Sequence, residues 1–139
     1  FGCDSKEAYS AELAMKHTQD LDLGPKYRAK VCAAIMATKR DGSFVSAEQK
    51  VVRAADLAGL AASYETFLLH NVALWSEQKI LGNPISWMDW KRQSEEIISF
   101  YLSQEIRLTS YYSNGDGMSA FHQATKANLK RLREEPCPS

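Results

Sequence analysis

From Ser5 onward, apolar residues recur at helical spacing between polar breaks marked by glycine and proline, and no stretch of useful length alternates apolar and polar at period two. Ser5 can cap a first helix running to about Gln19, with Glu7 in its first turn and the helix formers Ala8, Ala11, Leu13, Ala14 and Met15 behind it. Leu21-Asp22-Leu23-Gly24-Pro25 ends it: Gly24 suits a left-handed stop, and Pro25 suits the first position of a second helix. That helix spans Lys26 to about Thr38, with Tyr27, Val31, Ala34, Ile35 and Thr38 on one stripe, and Lys39-Arg40-Asp41-Gly42-Ser43 is the polar turn after it.

Ser46 and Gln49 have capping-box spacing, so a third helix begins near Ala47, carries Val51, Val52, Ala55 and Leu57 toward the core, and pauses at Gly59. Tyr64, Phe67, Leu68, Val72, Leu74, Trp75 and Ile80 define a fourth helix from Ala62 to about Leu81, stopped by Gly82-Asn83-Pro84. Ser86 can cap a fifth, running to about Leu108 and anchored by Trp87, Trp90, Ile97, Phe100, Tyr101 and Ile106. Asn114-Gly115-Asp116-Gly117 reads as a loop. A last amphipathic helix covers Ser119 to about Glu134, with Lys126, Lys130, Arg131 and Arg133 near its negative dipole end, and Glu135 to Ser139 reads as a frayed tail. The fold class is all-α: a single-domain helical bundle, residues 1–139, of about five to six helices.

Composition agrees with that picture and removes several function classes. The 139 residues can bury roughly two thirds of their unfolded surface without disulfides or metal staples. Hydrophobic residues at 45% and charged residues at 24% exclude disorder, collagen-like repeats and a coiled coil. No apolar run approaches the ~18 residues needed to span a bilayer, and no secretory leader pattern is present, so the expectation is a soluble, cytoplasmic chain without a membrane partner. Cys3, Cys32 and Cys137 are far apart and odd in number, which favours reduced thiols. A chain opening on Phe1 without methionine suggests a piece of something longer.

Net charge is zero but unevenly distributed. Phe1 to Leu23 holds five acids and two bases, whereas Lys26 to Arg53 holds seven bases against Asp41 and Glu48. A local positive field of this kind gathers anions such as phosphate esters, while neutral net charge without a sustained basic stripe argues against nucleic acid.

The basic segment leads into Val51-Val52-Arg53-Ala54-Ala55-Asp56-Leu57-Ala58-Gly59-Leu60, where one carboxylate sits in a small and apolar run. Burying an ionised carboxylate costs several kcal/mol without a compensating cation, metal or set of donors, so Asp56 is expected to have a task; the alternative is a carboxylate on an exposed polar stripe. No P-loop, Gly-x-Gly-x-x-Gly, Gly-x-Ser-x-Gly or His-Glu-x-x-His is present. His17, His70 and His122 are too widely separated for a helical metal pair; His17 and His122 read as structural or surface residues, while His70 can share a stripe with Glu65 and Glu77. The aromatic set from Trp75 to Tyr112 reads as inter-helix packing.

Taken in order, Glu7-Ala8-Tyr9-Ser10-Ala11-Glu12-Leu13-Ala14, then Val31 to Ile35-Met36-Ala37-Thr38, then Ala54-Ala55-Asp56-Leu57-Ala58-Gly59-Leu60 resembles the downstream half of the HD superfamily of metal-dependent phosphohydrolases. The resemblance covers most of the first 80 residues in spacing. It implies an HD-like helical fold and a divalent metal ion held by a histidine, a His-Asp doublet and a later aspartate. Asp56 matches that later ligand; Glu7, Ser10 and Thr38 would support it, and Lys39, Arg40 and Arg53 would meet the phosphate of a phosphomonoester or nucleotide. The doublet is absent from this chain and would fall before Phe1, so the resemblance implies an active parent protein and an inactive isolated chain, with no catalytic residue assigned here. The alternative is a non-catalytic HD-like module whose aromatic second half serves protein–protein interaction, sensing or homo-oligomer formation.

Overall fold

Six α-helices and one 3-10 turn make up the regular structure in a computed structural model that describes residues 5–113 and 118–139, with no strand among the described residues. They are α1 (Lys6–Asp20), α2 (Pro25–Met36), α3 (Ala47–Leu57), the 3-10 turn Ala58–Ala61, α4 (Tyr64–Ile80), α5 (Trp87–Ser103) and α6 (Ala120–Glu134). The expected Asn114–Gly117 loop lies outside the described residues. The all-α expectation holds, and no described helix is long and apolar enough to cross a membrane. The chain divides into two compact units, Phe1–Asp56 and Leu57–Ser139.

In the first unit α1 and α2 pack along each other, with Ala11 buried and the Cys32 thiol 3.5 Å from the Ala11 carbonyl oxygen. Ser5 caps α1, its hydroxyl oxygen accepting from the Ala8 amide at 3.1 Å. The stop after α1 differs from expectation. Asp22, not Gly24, takes the left-handed conformation (φ 56°), and Gly24 is extended ahead of Pro25. The Leu23 amide closes onto Thr18 O and the Asp22 amide onto Gln19 O, both at 3.0 Å, which is a Schellman ending. A short polar side chain tolerates this backbone, so aspartate substitutes for the usual glycine.

The phase of α3 also differs. Val51 and Ala55 point to solvent, and the inward positions are Arg53, Ala54 and Leu57, because the Arg53 guanidinium turns toward the end of α2. Tyr27, expected on the inner stripe of α2, is 56% exposed.

The second unit is built on a cluster of Tyr64, Phe67, Trp75, Trp87, Ile98, Leu129 and Leu132. Trp75 and Trp87 meet edge to face at 5.1 Å between centroids. Every tryptophan N–H has an acceptor: Trp75 donates to Ile85 O, Trp87 to Glu135 O and Trp90 to Asn71 Oδ1. Gly82 (φ 81°) ends α4, with the Asn83 amide closing onto Gln78 O at 2.8 Å.

Helix α5 stops at Ser103 rather than near Leu108. The Ser103 hydroxyl donates back to Phe100 O, Gln104 turns extended, and Ile106 is buried beyond the helix. Of the expected α5 anchors, Ile97 and Phe100 lie at the surface, while Ile98 takes the core position. The terminal segment is not frayed at its start: the Glu135 carbonyl accepts from Trp87 and from Lys91 Nζ, and its carboxylate accepts from the Tyr64 hydroxyl at 2.5 Å. Burial, and after it that contact, push the Tyr64 phenol well above its ordinary range.

Candidate functional site

Helix α2 ends at Met36, and the turn that follows it carries backbone carbonyls outside any helical ladder. Arg53 gathers three of them. Its Nη1 donates to Ala37 O (3.1 Å) and Lys39 O (2.5 Å), and its Nη2 donates to Arg40 O (2.9 Å). Phe44 lies against the guanidinium at 5.2 Å, and the residue has no exposed surface at all. This corrects the expectation that Arg53 meets substrate phosphate: a wholly buried guanidinium carrying three backbone carbonyls cannot also reach an incoming anion.

The same bonds fix the turn that bears Lys39 and Arg40. Arg40 is exposed, and Lys39 Nζ lies 3.6 Å from Asp41 Oδ1. Thr38 sits between two of the captured carbonyls, and its hydroxyl donates to Ile35 O at 2.8 Å. Gly42 is packed so tightly that a Cβ there would fall 2.3 Å from Met36 O.

Asp56 is exposed, contrary to the buried carboxylate expected from its apolar neighbours. The run is small and apolar because α3 turns Ala54 and Leu57 inward, while Asp56 lies on the outer side of the same helix. Enough protein still surrounds the carboxyl that desolvation raises it above the ordinary aspartate range; Arg53 and Lys6 pull it down, and Glu7 pushes it up. Glu7 is half-buried and 3.9 Å from Lys6 Nζ. The structure therefore brings Asp56 into the electrostatic neighbourhood of Glu7 and Lys6 on α1. Ser10 is exposed, and the Thr38 hydroxyl is bonded within its own helix end.

Asp56 offers the hard oxygen donor that a divalent cation takes. Among the described residues no group of three or more His, Cys, Asp or Glu is arranged to hold a metal, whereas a catalytic site takes at least three protein ligands. His17 and His70 are exposed. His122 is buried with both ring nitrogens engaged, by Ser119 Oγ at 2.6 Å and Leu102 O at 2.9 Å.

A second feature escaped the sequence reading. In the second unit, Ser99, Leu102 and Ser103 of α5 and His122, Lys126, Leu129, Lys130 and Arg133 of α6 line an open groove of about 630 Å³. The α6 cations read in sequence only as partners of the helix dipole; their i, i+4, i+7 spacing is the signal that they share one face.

No family model, curated protein or solved structure gives a significant match to this chain.

Proposed function

We propose that this chain is part of a metal-dependent phosphohydrolase of HD type acting on a phosphomonoester or nucleotide. Asp56 is one carboxylate ligand of a divalent ion, and the other ligands, including the His-Asp doublet, come from outside this chain. One observation supports the reading: residues of the first two motifs have links to α3, which bears Asp56. The Ala37–Thr38 segment is clasped by Arg53, and Glu7 of the first motif acts electrostatically on Asp56.

A bound divalent ion would activate water and polarise a phosphoryl oxygen. This chain's own residues do the positioning. Arg53 holds the turn, Lys39 and Arg40 present their charge from it, and Glu7 adds negative potential beside Asp56 that favours a cation. Hydrolysis of p-nitrophenyl phosphate and of nucleoside monophosphates, measured on the longer parent protein with metal analysis, tests this. Asp56→Ala is expected to abolish metal-dependent turnover; unchanged activity in that variant would remove Asp56 from the site.

A non-catalytic interaction module is the second reading. Its support has moved from aromatic to aliphatic residues, because Trp75 and Trp87 are core whereas Leu69, Leu74, Ile80, Leu81 and Met88 are 66%, 50%, 85%, 62% and 78% exposed. Sedimentation over a concentration range decides it: a strict monomer counts against this reading.

A further inference from the structure

The groove between α5 and α6 has one polar wall, one cationic wall and an apolar floor. Lys126, Lys130 and Arg133 stand at i, i+4 and i+7 on α6, Ser99 and Ser103 at i and i+4 on α5, and Leu102 and Leu129 lie between them. Arg133 is held by Glu95, whose carboxylate accepts from Arg133 Nε at 3.1 Å and from Nη2, and this contact holds Glu95 below the usual carboxylate range. Lys126 and Lys130 have no carboxylate partner among the described residues, and no acidic side chain lines the groove.

The helix dipole accounts for cations in the last turn, where Arg131 and Arg133 lie, but Lys126 is well upstream of that turn. His122 has both ring nitrogens engaged, Nδ1 by Ser119 Oγ at 2.6 Å and Nε2 by Leu102 O at 2.9 Å, so neither is left to meet a ligand in the groove. The groove therefore presents two uncompensated ammonium groups above an apolar surface, in a volume typical of small-molecule sites.

We propose that this groove binds a phosphorylated small molecule of mononucleotide size, with the phosphate held by Lys126 and Lys130 and the organic part lying on Leu102 and Leu129. The proposal does not rest on the phosphohydrolase reading.

Titration calorimetry and amide NMR on this chain, with AMP and adenosine as probes, test it. AMP is expected to bind and to shift resonances of 99–103 and 126–133, with adenosine weaker by at least about tenfold. The double variant Lys126→Glu/Lys130→Glu is expected to lose at least about tenfold in AMP affinity with an unchanged circular dichroism spectrum; both side chains are exposed, and Lys126→Gln/Lys130→Gln serves as a second variant should charge reversal disturb folding. Shifts along 99–103 and 126–133 report on this groove alone, so failure here is distinguishable from failure of the Asp56 reading. Equal affinity for AMP and adenosine, absence of shifts along α5 and α6, or AMP binding by both double variants as tight as by the parent chain would each overturn the proposal.

Discussion

Arg53 Nη1 lies 3.1 Å from the carbonyl oxygen of Ala37, sixteen residues earlier, and this bond ties α3 to the end of α2. With the bonds to Lys39 O and Arg40 O, one buried side chain gathers three carbonyls of the turn, of which Lys39 O also accepts from the Gly42 amide at 2.8 Å. Arg53→Met keeps much of the apolar stem but removes every donor. It is expected to destabilise the first unit by about 3 kcal/mol in urea unfolding. Arg53→Lys recovers only part of this, since an ammonium cannot fork to carbonyls on both sides of the turn. A loss under about 1 kcal/mol for the methionine variant would mean that these carbonyls find other partners.

Gly42 makes the second prediction. A Cβ at this position would meet Met36 O at 2.3 Å and Lys39 O at 3.0 Å, both backbone atoms that cannot rotate away. Gly42→Ala must open the turn that Arg53 closes, at an expected cost of about 1–3 kcal/mol. Gly24→Ala is the control: nothing lies within 4 Å of its Cβ position and its φ of −62° suits alanine, so its effect should stay within about 0.5 kcal/mol. Thermal unfolding of the two variants side by side checks both statements, and equal midpoints would refute the clash.

In the second unit, Asn128 plays a role parallel to that of Arg53. Its Nδ2 donates at 2.9 Å to both Leu60 O and Ala62 O, pinning the 3-10 turn Ala58–Ala61 to α6. Asn128→Leu keeps the volume but strands two carbonyls, for an expected loss of about 2 kcal/mol. Amide exchange should accelerate at Ala62, whose N–H closes the turn onto Gly59 O at 3.3 Å. Unchanged exchange there would show that the turn stands without the clamp.

Helix number and order were legible because caps and breakers carry local physics: Ser5, Ser46 and Ser86, each read as a cap, accept a helix N-terminal amide in the structure. What was not legible depended on contacts distant in sequence. Periodicity assigns an arginine to the surface, and nothing near Arg53 announces that three carbonyls of the preceding turn await it. The burial expected for Asp56 failed for the same reason: the inward direction of α3 is set by Arg53, and that rotation carries Asp56 outward. The α5–α6 groove was hidden because its two walls come from separate helices, and sequence spacing describes one helix at a time.

Asp56 yields the last prediction, through its proton. Desolvation leads the causes that place its carboxyl above the ordinary 3.8, so the folded chain holds this proton more tightly than the unfolded chain does. Stability then falls as pH rises from the unfolded value through the raised folded one, and above both the penalty of a desolvated carboxylate is fully present. Asp56→Asn resembles the protonated side chain at every pH. Its melting temperature should therefore exceed that of the parent chain near neutral pH, and the difference should shrink as the pH falls below about 4. Thermal scans of both proteins from about pH 3 to 7 measure this directly. Parallel curves would mean that the carboxyl is as well solvated folded as unfolded. The same pair separates the proposed functional readings. A divalent ion held at Asp56 would stabilise the ionised carboxylate, so under the metal-dependent reading added metal should raise the melting temperature of the aspartate form and leave the asparagine form behind.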